Sequence, residues 1–125
     1  HIEALTMKDM AEKQILPAIS AYSTQLASSA LEKKALSDAM DCTFETETSV
    51  ALAKDSAEMY GAIKVLSQDI ETAEAISDVT ERADFYRDTI LPDMDRLRSA
   101  ADHAEGITAR EFWPFPSYME LLFSL

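Results

Sequence analysis

Residues 78–107 read D-V-T-E-R-A-D-F-Y-R-D-T-I-L-P-D-M-D-R-L-R-S-A-A-D-H-A-E-G-I. Within them Val79, Ala83, Tyr86, Ile90, Met94, Leu97, Ala101 and Ala104 recur at steps of three and four, the spacing of one face of an α-helix. Asp78 with Glu81 forms a D-x-x-E start, a variant of the capping box. Gly106 followed by Ile107 suggests a Schellman ending, with His103 in the last turn. Arg82, Arg87, Arg96 and Arg98 each lie within a turn of an acid, the pattern of surface pairing along one helix. Pro92 stands inside this pattern, where it removes a backbone donor and predicts a kink.

Working upstream, residues from about 38 to about 75 carry Leu52, Met59, Ile63, Leu66, Ile70 and Ala73 at heptad-like spacing. They predict a second helix of roughly 55 Å at 1.5 Å per residue. Its opening, Thr43 to Val50, alternates and is rich in β-branched residues, but one such run has no partner strand and is read as helix. Gly61 costs a helix about 1 kcal/mol relative to alanine and suggests a close neighbour. Residues 2–30 predict a first helix with Met7, Ala11, Ile15, Ala18, Tyr22 and Leu26 on one face, again kinked at a proline, Pro17. The triplets Ile15-Leu16-Pro17 and Ile90-Leu91-Pro92 match without a longer repeat around them, so a shared bend and a coincidence both stand. Ser28 and Ser29 break the periodicity, placing a linker within 28–37, with Ser37 or Asp38 as the next cap.

Downstream, the tail 107–125 holds F-W-P-F-P-S-Y-M-E-L-L-F, with the only tryptophan of the chain. Pro114 and Pro116 enforce extended backbone, and Ser117 with Glu120 forms a capping box for a short terminal helix. So much aromatic surface is expected to lie on something, either its own domain or a partner. Trp113, Phe115, Tyr118, Leu122 and Phe123 are the expected packing or subunit-interface anchors. The fold expected is all-α: one domain, 1–125, an up-down-up antiparallel three-helix bundle of long helices with the aromatic tail and its short helix packed on it.

Two glycines and four prolines in 125 residues leave few places for turns, in keeping with long rods. Eleven basic residues against 23 acidic give a net charge of −12, which argues against nucleic acid and anionic membranes as partners. No apolar run approaches a membrane span, and the single cysteine, Cys42, suits a reduced cytoplasmic setting. A carboxylate-bridged dimetal centre needs E-x-x-H motifs, and the chain has none. Zinc lacks ligands, Cys42 has no base beside it in sequence, and no glycine-rich phosphate loop is present. The residues themselves therefore nominate no catalytic, cofactor-binding or metal-ligating group, and leave open a free-standing helical module that binds another helix.

Three stretches together carry a resemblance: Ile2 to Tyr22 (I-E-A-L-T-M-K-D-M-A-E-K-Q-I-L-P-A-I-S-A-Y), Phe85 to Asp102 (F-Y-R-D-T-I-L-P-D-M-D-R-L-R-S-A-A-D) and Phe112 to Phe123. They resemble the C-terminal region of type III glutamine synthetases, where a final W-P-x-P-x-Y…L-L-F follows helices with I-L-P segments. Phe112 stands where that pattern has leucine, and the match is weak between Ser28 and Ala57. The resemblance implies an excised domain of a longer cytoplasmic enzyme that ligates ammonia to glutamate with ATP and Mg²⁺ or Mn²⁺. In that family the metal and nucleotide ligands lie upstream, so none is carried onto this sequence. It further implies a non-catalytic domain whose partners are the catalytic domain of the same chain and neighbouring subunits of a homo-oligomer.

Overall fold

The computed structural model describes residues 1–115, and the described residues form helices and turns with no strand. Helix α1 (Ile2–Met10) continues through one π-helical turn (Ala11–Ile15) into α2 (Leu16–Leu36). A short connection leads to α3 (Thr43–Ala75), and α4 (Val79–Phe85) continues through a second π turn (Tyr86–Ile90) into α5 (Leu91–Ile107). A single 3₁₀ turn, Arg110–Phe112, follows. The chain therefore builds three rods: α1–α2, α3 and α4–α5.

Cross-helix contacts fix their directions. Ser23 meets Ser49 at 3.0 Å and Lys33 meets Glu45 at 2.7 Å, so α2 and α3 run antiparallel. His103 meets Asp55 at 2.7 Å and Arg96 meets Glu58 at 2.8 Å, so α5 and α3 do the same. The middle helix is the common wall. Leu52, Met59, Ile63, Leu66, Ile70 and Ala73, the heptad-like seam, are all buried, and Ala62 joins them. Against it lie Ile15, Ile19, Tyr22 and Leu26 from the first rod and Ile90, Met94 and Leu97 from the third. The up-down-up bundle expected from the periodicity is the observed architecture, and the β-branched run 43–50 is helical as expected.

The two I-L-P triplets sit at equivalent points. In each, the widened turn ends two residues before the proline, and the residue between closes it: the Leu16 N–H donates to Ala11 O and the Leu91 N–H to Tyr86 O, five residues back. Pro17 and Pro92 then stand second in the renewed α-helices. A proline cannot donate to the carbonyl four residues before it, and a turn that bonds five back reassigns the neighbouring acceptors. The widened turn also adds a residue to the helical count, which moves the buried stripe. Ile19, not Ala18, is buried in the first rod, and Ala100 is more deeply buried than Ala101 in the third. Ahead of the second π turn the stripe is lost: α4 buries no residue, and Val79 is 79% exposed.

Other boundaries differ from the sequence reading. Ser28 and Ser29 lie inside α2, which runs to Leu36, and the turn falls at residues 37–42. Serine costs a helix little once its neighbours are packed, so the tertiary contacts of Leu26 and Ala30 override the local signal. Ser37 shapes that turn by accepting from the Ala39 N–H, and Asp41 accepts from the Thr43 N–H at the start of α3. Asp78 does cap α4, accepting from the Glu81 N–H at 2.9 Å. Gly106 has no positive φ and lies within the last turn of α5; no Schellman ending forms, and Thr108 turns extended instead. Gly61 marks no tight approach either, since an added Cβ would meet only the Arg96 guanidinium, at 3.6 Å.

Three substitutions test this packing by chemical denaturation. Leu66→Ala removes a fully buried side chain from the shared wall and should cost about 2–5 kcal/mol. Ser29→Pro, harmless in a linker, should cost about 3 kcal/mol inside α2. Gly61→Ala should stabilise the protein by up to about 1 kcal/mol.

Candidate functional site

After Ile107 the chain leaves the third rod and crosses onto the first. Thr108 Oγ donates back to Ala104 O at 2.7 Å, and the Arg110–Phe112 turn brings the Phe112 ring to 5.0 Å from Tyr22, tilted by 37°. Phe112, Trp113 and Phe115 are half-buried against the core formed by all three rods. Trp113 is extended after that turn (φ −77°, ψ 126°), and the chain bends at Pro114 and Phe115. Of the five expected anchors, Trp113 and Phe115 therefore pack on their own bundle; Tyr118, Leu122 and Phe123 lie outside the described residues.

A groove of about 390 Å³ opens between the first rod and the third. Met7, Met10, Ala11 and Ile15 line it from one side and Leu97 and Ala101 from the other, with Glu3 and Arg98 the charged members of its lining. It exists because both outer rods press their apolar stripes onto α3, leaving their mutual contact incomplete. Sequence periodicity could not reveal it, since each of its walls reads as an ordinary core face.

Polar contacts pin the rods to the middle helix. Glu45 is buried, its side chain 8% exposed, and the Lys33 ammonium at 2.7 Å holds its carboxyl below the usual range. Arg96, expected to pair along its own helix, reaches Glu58 on α3 instead. Arg82 likewise donates through Nε and Nη2 to Ile76 O, closing the end of α3. His103 meets both carboxylate oxygens of Asp55, at 2.9 and 2.7 Å. Of the four arginines read along the third rod, Arg87 and Arg98 pair locally, as the spacing suggested. Much of the acidity of α3 thus serves inter-rod contacts that a reading along one helix cannot see.

Among the described residues no three His, Cys, Asp or Glu side chains gather where they could hold a metal ion. Cys42 is buried, its sulfur 3.7 Å from Ala30 O, in the turn between rods. No helix among the described residues is long and apolar enough to cross a membrane.

The class defined so far is an all-helical bundle covered by an aromatic strap, with an apolar groove between its outer rods and an acidic composition. No protein-family model matches the chain. Its sequence relatives are glutamine synthetases. The chain is 39% identical over 125 residues to the glutamine synthetase of Butyrivibrio fibrisolvens, aligned over its whole length. It is 28% identical over 128 aligned positions to that of Bacteroides fragilis (strain YCH46), and 42% identical over 41 residues to the type-3 glutamine synthetase of Dictyostelium discoideum. It spans only 18% of the length of each of the first two, and the third match covers 33% of this chain. Such similarity, complete here and partial there, is consistent with a C-terminal domain of a type III glutamine synthetase.

If the strap seals the bundle, Phe112→Ala should cost about 1–2 kcal/mol and shift the emission of Trp113, the only tryptophan, to longer wavelength. Wild-type emission already at the wavelength of a solvated indole would contradict that packing.

Proposed function

We propose that this chain is a non-catalytic helical domain of a glutamine synthetase, serving to brace the enzyme and assemble its subunits. The observation that carries the reading is the 39% identity along all 125 residues to a protein of which they make up 18%. The parent reaction is then the ATP-dependent ligation of ammonia to glutamate, with Mg²⁺ or Mn²⁺, in the cytoplasm. The reacting groups belong to the remaining polypeptide, and the domain's partners are the catalytic domain of its own chain and neighbouring subunits of a homo-oligomer.

Two surfaces suit that role. The groove between the first and third rods presents methionines and small residues, a lining that adapts to an apolar segment. Its occupant is taken to be the catalytic part of the same polypeptide, the bulk of the relatives' length. The second surface is the strap, whose outer ring faces, with Tyr118, Leu122 and Phe123, are the anchors for a neighbouring subunit. The two π turns ahead of Pro17 and Pro92 stand at matching points of the outer rods that carry these surfaces. The groove also suits the alternative, a free-standing module that binds another helix; an upstream reading frame encoding the rest of a glutamine synthetase removes that alternative.

Light scattering on the full-length enzyme tests the assignment. Deleting residues 112–125 should reduce oligomer size while the helical content of the subunit is kept, and Met10→Glu in the groove should loosen the domain from the rest of the chain, read as faster proteolytic release. An unchanged oligomer and unchanged proteolysis would exclude the role.

A further inference from the structure

The seam between α3 and α5 carries three polar contacts: Asp69 with Asp93, Glu58 with Arg96, and Asp55 with His103. The middle one is indifferent to pH near neutrality, since Arg96 holds the Glu58 carboxyl below the usual range. The contact between the two carboxyls requires a proton. Asp93 Oδ2 is sealed from water and has no hydrogen-bond donor. The group that approaches its carboxyl from α3 is a second carboxyl, Asp69, and two carboxylates attract only while one is protonated. At the other end the imidazole of His103 lies between both oxygens of Asp55, whose side chain is 13% exposed, and the pair is ionic only with the ring protonated.

We propose that this seam is a proton-controlled clasp at its Asp69–Asp93 end: the two carboxyls hold together while they share a proton and part when it is lost, with the Glu58–Arg96 pair as the fixed pivot beside them. The charged groups that face it are Asp69, Glu58 and Asp55 from α3 and Arg96 from α5. Because α5 leads directly into the Phe112–Phe115 strap, a loosened α5 also loosens the strap's seat on Tyr22.

The direction of the pH effect follows by linkage. Burial first, then the hydrogen bond to Asp69 and its charge, push Asp93 up to about 7 from 3.8, with Arg96 opposing. Over that interval the folded protein binds a proton that the unfolded chain has released, so stability falls as pH rises towards 7 and then levels off. Acids held low by their partners, Asp41, Glu45, Glu58 and Asp88, lose their contribution only under more acid conditions. His1, 3.1 Å from Glu74, also depends on protonation, so His1→Gln is the reference background.

Urea denaturation of the 125-residue chain at pH 5.5 and 8.5 tests the clasp. In the reference the unfolding equilibrium constant should be about tenfold or more larger at pH 8.5. Asp93→Asn should remove most of that rise and be the more stable protein at pH 8.5. A flat reference profile, or an Asp93→Asn variant with the same rise as the reference, would overturn the proposal. Carboxyl ¹³C titration gives a second reading that does not depend on that variant folding. The Asp93 signal should titrate near neutrality and move to lower pH in Asp69→Asn; a midpoint in the ordinary carboxylate range in the reference would also overturn it.

Discussion

The structure depends on one shared wall. Helix α3, 33 residues long, presents a stripe of Leu52, Met59, Ile63, Leu66 and Ile70 that neither outer rod could cover alone. Burying such side chains contributes about 1.5–3 kcal/mol each, before the entropy of ordering the chain is subtracted. Both neighbours therefore take their positions from α3, and the contact between them is what is left over. The groove at Met7, Met10 and Leu97 is that remainder, and the strap is the device that covers the bundle where Tyr22 meets the end of α5.

Along this wall the polar contacts settle register more than they add stability. Exposed ion pairs contribute little on their own. Yet Lys33 with Glu45, Arg96 with Glu58 and His103 with Asp55 each join residues far apart in sequence, and a helix slipped by one turn would break all three. The same logic gives the acidic α3 a purpose beyond solvation, since its carboxylates meet the cations of both outer rods. Asp93 is the exception to charge matching: its Oδ2 is buried without a hydrogen-bond partner, and burial together with Asp69 pushes its carboxyl up.

The sequence was most informative where one helix decides its own pattern. The α3 seam, the Asp78 cap and the existence of three rods all follow from spacing of three and four. Two kinds of feature were not legible. Residues beyond a π turn change face by about one position, so Ile19 replaced Ala18 in the core and Val79 left it; the I-L-P triplets marked the places without giving the shift. Contacts between rods, such as Arg96 to Glu58 or Arg82 to Ile76 O, compete with equally plausible partners one turn away on the same helix. The serines at 28 and 29 misled for a related reason, since local propensity is weak beside packing. Of the aromatic strap, the sequence conveyed the need for cover, and the ring of Tyr22 supplied the place.

The central claim is that this chain braces an enzyme whose reactive groups lie elsewhere on the polypeptide. It is tested most directly by calorimetric titration of ATP with Mg²⁺ into the 125-residue chain. The account predicts no saturable heat up to millimolar nucleotide. Saturable one-to-one binding would contradict it, because a nucleotide site would then be built from these three rods themselves.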